Sequence, residues 1–466
     1  MKPPLSSQVL QPRARRFQAR RLVSSRKFGP LFADAFACAI GLGATFVVHL
    51  VGDIFITELL LVLMFPLLLA LKGRRIAGRY FRYVLVMLGL WLFGQTVTDF
   101  YVGTRGADFV RGTAAIVVFG IQIVSFVILF GENEKRRALF MVSYAIGSLL
   151  SAKFHPEMNI EGVEWKFGYA LGTIYLVVLA SSFLYARRRF IIAGLFLAGI
   201  IFVNLLLNFR SPVLLLLVTL ALVFPVIPER IGRLRILPRG PSAVRVSVLA
   251  GMALGAAILA SKLVLFATTA GLLSEEAQEK NLRQASSSSG LLLGGRPEIQ
   301  VSALAVMESP ILGHGSWARD LKYVEILQDK LAESGQKANL EDALATSQGL
   351  IPSHSHLMQS WVWSGILGAA FWIYMLYLTA RAIVQIVSSP PRLAPVYTWL
   401  LVSLCWSILF SPFGSTARTA DALCVAIALD ALRDENPLRR NSGRQLWPRR
   451  RPVVRLRRSV IAGHKS

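Results

Sequence analysis

The chain of 466 residues carries a net charge of +25, yet 54% of its residues are hydrophobic and only 17% are charged. A soluble domain has more charge and shorter apolar runs, so this composition excludes an ordinary soluble protein and predicts an integral membrane protein. The basic residues are concentrated in particular segments between the apolar runs, and their placement indicates which side of the membrane each segment faces. No nucleic-acid partner is expected.

The predicted fold is an all-α integral membrane protein with about twelve transmembrane helices. Apolar stretches of about 17 to 25 residues recur from Leu31 to Leu432, and a helix of that length crosses a ~30 Å hydrocarbon layer. The predicted spans are 33–51, 54–71, 83–98, 109–130, 138–152, 167–186, 190–208, 212–228, 247–270, 360–380, 394–411 and 417–432.

This pattern divides the chain into five segments. The first tail contains lysines and arginines but no acidic residue, and such segments stay in the cytoplasm, so both basic tails are predicted to be cytoplasmic. Counting spans from there places the long polar connection on the outer side of the membrane. The segments are a basic tail over 1–30, helices one to nine over 31–270, the polar connection over 271–357, helices ten to twelve over 358–432 and a basic tail over 433–466.

Arginines stand in two of the predicted outward turns. Arg105 and Arg111 follow the third predicted span, where charges either anchor helix ends at the interface or help to line an outer pocket. Arg210 interrupts an almost wholly apolar stretch in the group Asn208-Phe209-Arg210-Ser211. It either snorkels to the headgroups or belongs to a site, since the arginines of this chain otherwise lie overwhelmingly on the inner side.

The polar connection over 271–357 is long enough to indicate function. Its pattern predicts helices over 275–284, 297–308 and 318–333, which would form a small cap over the bundle. Arg296 follows two glycines and precedes the second of these helices. Its guanidinium and the helix N-terminus can bind an anionic group together, or Arg296 can simply pair with Glu298.

Two histidines, His354 and His356, lie where the polar connection turns into an apolar helix. A neutral imidazole beside fixed cations can act as a general base or position a hydroxyl group. His314 could join them around a metal, but the usual ligand spacing is missing, so neither a metal nor a cofactor is expected. Capping of the following helix by Ser353 and Ser355 is the structural alternative.

The chain has no P-loop, no dinucleotide-binding glycine pattern and no serine nucleophile elbow. A substrate used outside the membrane without nucleotides must already be activated, and a polyprenyl pyrophosphate-linked sugar is such a compound. Its pyrophosphate leaving group needs cations, which arginine supplies here.

Three blocks of the chain, in this order and on one predicted side, resemble the O-antigen ligase and polymerase superfamily over residues 190–378. The resemblance implies a bacterial inner-membrane glycosyltransferase that moves glycan from undecaprenyl pyrophosphate, without a metal and with inversion at the sugar carbon. The blocks are Asn208-Phe209-Arg210-Ser211; Gly294-Gly295-Arg296-Pro297 with Glu308-Ser309-Pro310-Ile311-Leu312-Gly313-His314-Gly315-Ser316-Trp317; and Ser353-His354-Ser355-His356 with Gln359-Ser360-Trp361-Val362 and Gly365-Ile366-Leu367-Gly368.

The same resemblance implies roles for individual residues. Arg210 and Arg296 match the arginines that hold the pyrophosphate, and His354 matches the histidine that handles the acceptor hydroxyl. His354 and Gln359 stand at the family's spacing from Gly365.

Two neighbours of that histidine depart from the family pattern. Ser355 replaces a frequent asparagine and Trp363 a frequent acidic residue, so the acceptor contacts stay open. His356 falls at a more variable position, and replacing it by alanine is expected to be tolerated.

The expected reaction is either polymerisation of repeat units or ligation of a finished glycan, with the polymerase preferred. The acceptor is a second lipid-linked glycan for a polymerase, which would work with a chain-length regulator, and lipid A-core for a ligase. The alternatives are a flippase of lipid-linked oligosaccharide, which would carry charges deep within its spans, and a non-catalytic assembly subunit.

Overall fold

The computed structural model describes residues 31–49, 53–72, 78–131, 133–154, 164–224, 243–286, 297–333 and 348–433. Within these ranges the protein is a bundle of α-helices with one small β-hairpin. Five helices are long and apolar enough to cross a membrane, and five further apolar helices are shorter. The fold is therefore that of an all-α membrane protein, while the count of about twelve spans stays a prediction.

The helices are numbered here in chain order, and a short π-helix, Trp165–Tyr169, leads into the sixth. They are α1 Leu31–Gly43, α2 Ile56–Lys72, α3 Arg79–Val102, α4 Gly106–Phe130, α5 Glu134–Phe154, α6 Ala170–Ala186, α7 Phe190–Leu206, α8 Arg210–Val223, α9 Ala243–Thr269, α10 Glu275–Ser286, α11 Pro297–Glu308, α12 Leu321–Glu333, α13 His356–Ser388, α14 Ala394–Phe410 and α15 Ser415–Ala431.

The first predicted span, 33–51, is wrong in its second half. Helix α1 ends at Gly43, and the chain then forms an antiparallel hairpin of β1 (Val47–His49) and β2 (Asp53–Phe55). β-Branched and aromatic residues, which favour strands, follow the helix end and outweigh the apolar character that suggested a helix. The hairpin leads directly into α2.

Small residues set the spacing of the first helices. A Cβ added at Gly41 of α1 would lie 2.5 Å from the carbonyl oxygen of Phe140 in α5, and one at Gly147 of α5 would lie 2.8 Å from that of Leu42. In a lipid environment helices gain from close van der Waals packing, which glycine permits. These two glycines let α1 and α5 pack with their backbones nearly in contact.

The polar connection contains the three predicted helices. α10 and α11 begin at the predicted residues, and α12 begins three residues later than the predicted 318. α11, α12 and the first turns of α13 share one apolar cluster that includes Val301, Tyr323 and Val362. These helices therefore form a cap that is packed against α13, and this cap is built from the connection itself.

The bundle has two chemically different ends, which α4 joins over 25 residues, or about 37 Å. One end, called the histidine end, carries Asp99, and the segment 354–356 leads from it towards the middle of α4, where Phe413 packs on both His356 and Phe119. The other, called the opposite end, carries pairs made by the first turn of α5: Arg136 with Asp34 at 3.0 Å and Arg137 with Asp430 at 2.5 Å. Predicted outward and inward connections thus gather at separate ends, and which end faces the cytoplasm stays a prediction.

Candidate functional site

A break in α13 shapes the site. Ser364 and Gly365 have non-helical backbone angles, with φ of +62° and ψ of −154° at Gly365. A Cβ at Gly365 would overlap the carbonyl oxygen of Ile311, and the next amide, that of Ile366, donates to that oxygen at 3.1 Å. Only glycine adopts this conformation readily. The predicted continuous span 360–380 is therefore interrupted where the turn after α11 docks.

Asp99 fixes that turn to α3. Its buried carboxylate accepts from the Ser316 amide at 2.6 Å, the Ser316 hydroxyl at 2.7 Å, Thr104 Oγ1 at 2.8 Å and Gln95 Nε2 at 3.2 Å. Buried carboxylates are stable when their acceptor sites are filled in this way. The cap is thus joined to the bundle by a saturated carboxylate, and Asp99 has a structural role.

His354 lies in the extended segment that precedes α13 and is partly exposed. The next residue, Ser355, has an extended backbone, and its side chain accepts from the Met358 amide at 3.2 Å, which caps the helix. The same hydroxyl donates to the Ile408 carbonyl oxygen at 2.8 Å. The capping alternative is therefore correct for Ser355, and this cap also ties the residue next to His354 to the end of α14.

His356 is fully buried at the first position of α13. Its Nδ1 lies 2.6 Å from the carbonyl oxygen of Ser411, and its Nε2 lies 3.0 Å from Oδ2 of Asp421 in α15. The ring packs on Trp372, with centroids 4.7 Å apart, and on Phe413. Both ring nitrogens are engaged and no part of the ring is exposed, so His356 is placed to hold the segment and not to meet a substrate. Replacing it by alanine would remove both bonds from a buried site, so the sequence-based expectation that this substitution is tolerated no longer holds.

Gln359 is also engaged at both ends of its amide group. Its Nε2 donates to the Phe413 carbonyl oxygen at 3.0 Å, and its Oε1 accepts from the Phe413 amide at 2.7 Å. The side chain is buried. Gln359 therefore closes α13 onto the loop between α14 and α15, and both polar atoms of its buried amide are bonded there.

Arg210 is the first residue of α8 and is partly buried. The predicted hairpin tip is confirmed: Asn208 has a φ of +50°, and its side-chain oxygen accepts from Asn281 of α10 at 3.3 Å. α8 packs on α14, whose start lies beside the end of α6 through a bond from the Val396 amide to Ser182 at 2.9 Å. α7 runs back from the end of α6, and α8 begins where α7 ends, so Arg210 lies at the far end of the bundle from the start of α14. The segment after α14 lies at that same far end.

Arg296 lies outside the described residues. The residue that follows it, Pro297, begins α11, as the sequence predicts, and Glu298 in the first turn is buried. α11 packs against α13. The helix that Arg296 precedes is therefore part of the cap over the segment that carries His354.

The other candidate residues lie in supporting positions. His314 Nε2 donates to the Ala305 carbonyl oxygen at 2.8 Å, and the His314 amide donates to the Val362 carbonyl oxygen at 2.6 Å, about 9 Å along α13 from its start. Arg105 is exposed immediately before α4. Within the described part of the chain, no group of three or more His, Cys, Asp or Glu side chains is arranged to hold a metal ion.

The cap has an exposed ion pair near the same turn. Lys322 Nζ donates to Glu308 Oε2 at 2.7 Å, and this bond, with one from the Tyr323 hydroxyl, lowers the pKa of the Glu308 carboxyl group. Burial and the bond to Glu308 raise the pKa of the Tyr323 hydroxyl. Glu308 is therefore ionised at neutral pH and links α11 to the start of α12.

Sequence reasoning missed the acid and base that α15 contributes. Arg418 donates to both oxygens of Glu58, at 2.7 and 2.9 Å, and Gln122 donates to the same carboxylate at 3.2 Å. Asp421 follows Arg418 by about one turn and pairs with His356. The available signal was the presence of two ionisable residues within the apolar span 417–432, because such residues inside spans are usually paired and functional.

The comparisons with known proteins add no relative. A scan against protein-family models gives no match to this chain, and a search of curated proteins gives none either. The family resemblance therefore rests on the three blocks of the sequence alone.

Proposed function

We propose that the protein is an inner-membrane glycosyltransferase of the O-antigen ligase and polymerase type, which transfers glycan from undecaprenyl pyrophosphate to a periplasmic acceptor. One observation carries the proposal most: of the two neighbouring histidines, His354 is partly exposed, whereas His356 is sealed inside the bundle with both nitrogens engaged. The histidine that the family resemblance assigns to the acceptor is thus the one that a substrate can reach.

The proposed reaction is a single displacement. The acceptor hydroxyl oxygen attacks the anomeric carbon of the donor sugar while His354 takes the hydroxyl proton, and the bond from that carbon to the pyrophosphate oxygen breaks with its electron pair. The leaving pyrophosphate is held by Arg210 and Arg296, whose planar guanidinium groups can make two-point contacts with phosphate oxygens. Attack opposite the leaving group inverts the sugar carbon, and the transferred proton leaves His354 to solvent.

The proposal includes a topology of about twelve spans with both tails in the cytoplasm, which puts the histidine end in the periplasm. The mixture of five long and several shorter apolar helices supports a multi-pass arrangement. Cysteines introduced as Ser287→Cys and Gln336→Cys should react with impermeant reagents from the periplasm, whereas Gly232→Cys and Ser442→Cys should not. The reverse labelling pattern would move the site to the cytoplasm and end the proposal.

A polymerase remains preferred to a ligase, with a second lipid-linked glycan as acceptor in place of lipid A-core. A flippase is the rival of another class, and one observation favours it: two ionisable residues, Glu58 and Asp421, are buried within helices, and the side chain of Arg418, which pairs with Glu58, is only 11% exposed. Pumps and transporters commonly contain such residues. Glu58 and Arg418 pair with each other about two thirds of the way along α4 from its start, where Gln122 donates to Glu58, and Asp421 pairs with His356, so each of these charges already has a partner inside the bundle.

Purified protein in proteoliposomes should decide among these functions. The substrate is the lipid-linked oligosaccharide extracted from cells that produce the protein, and the assay contains excess chelator because no metal is proposed. Chains of increasing length indicate a polymerase, transfer that requires added lipid A-core indicates a ligase, and movement of the lipid between leaflets without a new glycosidic bond indicates a flippase.

His354→Ala should lower transfer by about 100- to 10,000-fold while the protein still accumulates, since general base catalysis contributes about that much. His354→Gln should rescue little, because an amide can position a hydroxyl group but cannot take its proton. Full activity of His354→Gln would show that proton abstraction is not the role of this residue.

A further inference from the structure

The segment that carries His354 is attached to one stretch of chain by a series of side-chain bonds. Ser355 bonds the carbonyl oxygen of Ile408, His356 bonds that of Ser411, and Gln359 makes two bonds with the backbone of Phe413. Each of these bonds links residues just after His354 to the end of α14 or the loop that follows it. Asp421, one element further on, completes the series through His356.

The two bonds of His356 determine how many protons the His356–Asp421 pair carries. The Ser411 oxygen is a carbonyl and can only accept, so Nδ1 must carry a hydrogen. Nε2 then faces the Asp421 carboxyl oxygen at 3.0 Å. A neutral imidazole with hydrogen on Nδ1 has none on Nε2, and an ionised carboxylate has none to give, so this contact needs one more proton, either on the ring or on the carboxyl group.

The surroundings of the pair make the loss of that proton unfavourable. His356, whose ring packs on Trp372 and Phe413, is 0% exposed, and Asp421 is 5% exposed. With the proton the pair is neutral overall. Without it, an uncompensated carboxylate and a lone pair of the ring would face each other in an apolar site, which is costly.

Other charged or titratable groups in the described part of the chain lie near the pair. Arg418, a turn earlier on α15, is already matched by both oxygens of Glu58. The phenols of Tyr144 and Tyr175 and the Cys424 thiol lie within electrostatic range of Asp421. The charge of Arg418 is committed to Glu58, and the other three groups carry no positive charge, so none of the four replaces the proton between His356 and Asp421.

We propose that His356 and Asp421 form a proton-holding clasp that positions the neighbouring His354 for transfer. This inference rests on the proposed function, since it assigns positioning residues to the same site. While the proton is held, residues 355–359 stay docked on the loop after α14. When the proton is lost as the pH rises, the clasp loosens and His354 moves from its working position.

The test compares pH profiles of transfer in proteoliposomes for the wild type and two variants of Asp421. The wild type should show kcat rising at low pH, as His354 becomes neutral, and declining at high pH, as the clasp loses its proton. In Asp421→Asn the amide nitrogen can donate to Nε2 of a neutral ring. This variant should therefore keep kcat near neutral pH within about 3-fold and lose the decline at high pH.

Asp421→Ala removes the partner of Nε2 altogether. Its kcat should fall by about 100-fold, because a misplacement of the order of 1 Å at a catalytic group has an effect of that size, while KM for the lipid-linked donor should be unchanged. Asp430→Asn is the matched control: it alters an acidic residue of the same helix at the opposite end, and it should leave both limbs of the profile in place.

The outcomes separate this inference from the proposed function. A wild-type profile without a decline at high pH, or a decline that survives in Asp421→Asn, would overturn the clasp. If Asp421→Ala does not fold, Asp421→Asn decides alone. Transfer that is absent in the wild type, or that persists in His354→Ala, would instead overturn the proposed function, whatever the behaviour of the Asp421 variants.

Discussion

The two ends of the bundle use charge in different ways. At the opposite end, basic side chains of α5 pair directly with acids: Arg136 with Asp34, and Arg137 with Asp430. At the histidine end, Asp99 is filled by hydroxyl, amide and backbone donors, and Asp421 is paired with a histidine. The opposite end is held by ion pairs of arginine, whereas these two carboxylates are held by hydroxyl and amide donors and by a histidine.

This difference indicates which end is built for stability alone. A guanidinium stays charged throughout the accessible pH range, so an arginine pair holds helices together without responding to conditions. The histidine end also carries Arg210 and the partly exposed His354. We therefore expect substitutions at the two ends to affect different quantities: the free energy of unfolding at one and the rate of transfer at the other.

The largest expected effect is on stability, at the opposite end. In Arg137→Met, Asp430 would lose the partner that lies 2.5 Å away, and Gly131 and Tyr397 would lose the donor that the guanidinium provides. Breaking a buried pair in this way costs about 3–5 kcal/mol. Thermal unfolding in detergent should occur at a clearly lower temperature, while the protein that remains folded should keep its rate of transfer.

The matched control is the double variant Arg137→Met with Asp430→Leu. Replacing both members of a buried pair by apolar residues is often neutral, so the double variant should recover most of the lost stability. A rate of transfer per folded molecule that drops in Arg137→Met would contradict the assignment of this end to stability.

The next effect is on the rate, at the histidine end. Arg210→Lys and Arg296→Lys keep the charge but lose the planar two-point contact with the pyrophosphate. Each should lower kcat by a factor of about 100 to 1000, or about 2.7–4 kcal/mol in activation free energy, with normal accumulation in the membrane. Near-normal transfer in Arg210→Lys would return that residue to the role of a side chain that snorkels to the headgroups.

A smaller effect is expected at the break in α13. Gly365→Ala places a Cβ against the Ile311 carbonyl oxygen and imposes a backbone conformation that suits only glycine. Strain of this kind costs about 1–3 kcal/mol. The variant should unfold at a lower temperature and also lose transfer, because the turn at 311–316 docks there; Gly255→Ala, in the open middle of α9, is the control. A stable Gly365→Ala would show that the break is not required.

The smallest effect is expected in the cap. Lys322 and Glu308 are both more than half exposed, and exposed pairs contribute little. Lys322→Ala should leave the unfolding temperature and transfer at neutral pH unchanged. Since the pair lowers the pKa of Glu308, any contribution it makes is present at neutral pH and is lost as the pH falls, so acid titration of both proteins should show at most a slight difference there.

The sequence predicted the helices well because they depend on long apolar runs and local signals. Pro297 marks the start of α11, and the polar group around Arg210 marks the hairpin tip between α7 and α8. The hairpin after α1 was missed because Val47 and Val48 are as apolar as a span requires and differ only in their preference for strands. The break at Gly365 was missed because it depends on a carbonyl oxygen more than fifty positions earlier in the chain.

The site was predicted only in part, because local signals identify His354 but not partners that are distant in the chain. The sequence places His354 at the junction of connection and helix, but only the packing of α13 on α14 and α15 shows that His356 is sealed and bonded to Asp421. Gln359, expected near the substrate, is instead engaged with Phe413. These partners lie more than fifty residues away in the chain, where spacing within a motif gives no information.

The most direct test of the account is to map where the carrier lipid binds. A polyprenyl pyrophosphate with a diazirine beside the pyrophosphate is cross-linked to the protein in nanodiscs, with undecaprenyl pyrophosphate and undecaprenol as competitors. Peptides from 204–212, 297–308 and 350–359 should be labelled, and only undecaprenyl pyrophosphate should compete. Labelling confined to 131–137 or 430–433, or equal competition by undecaprenol, would contradict the placement of the reaction at the histidine end.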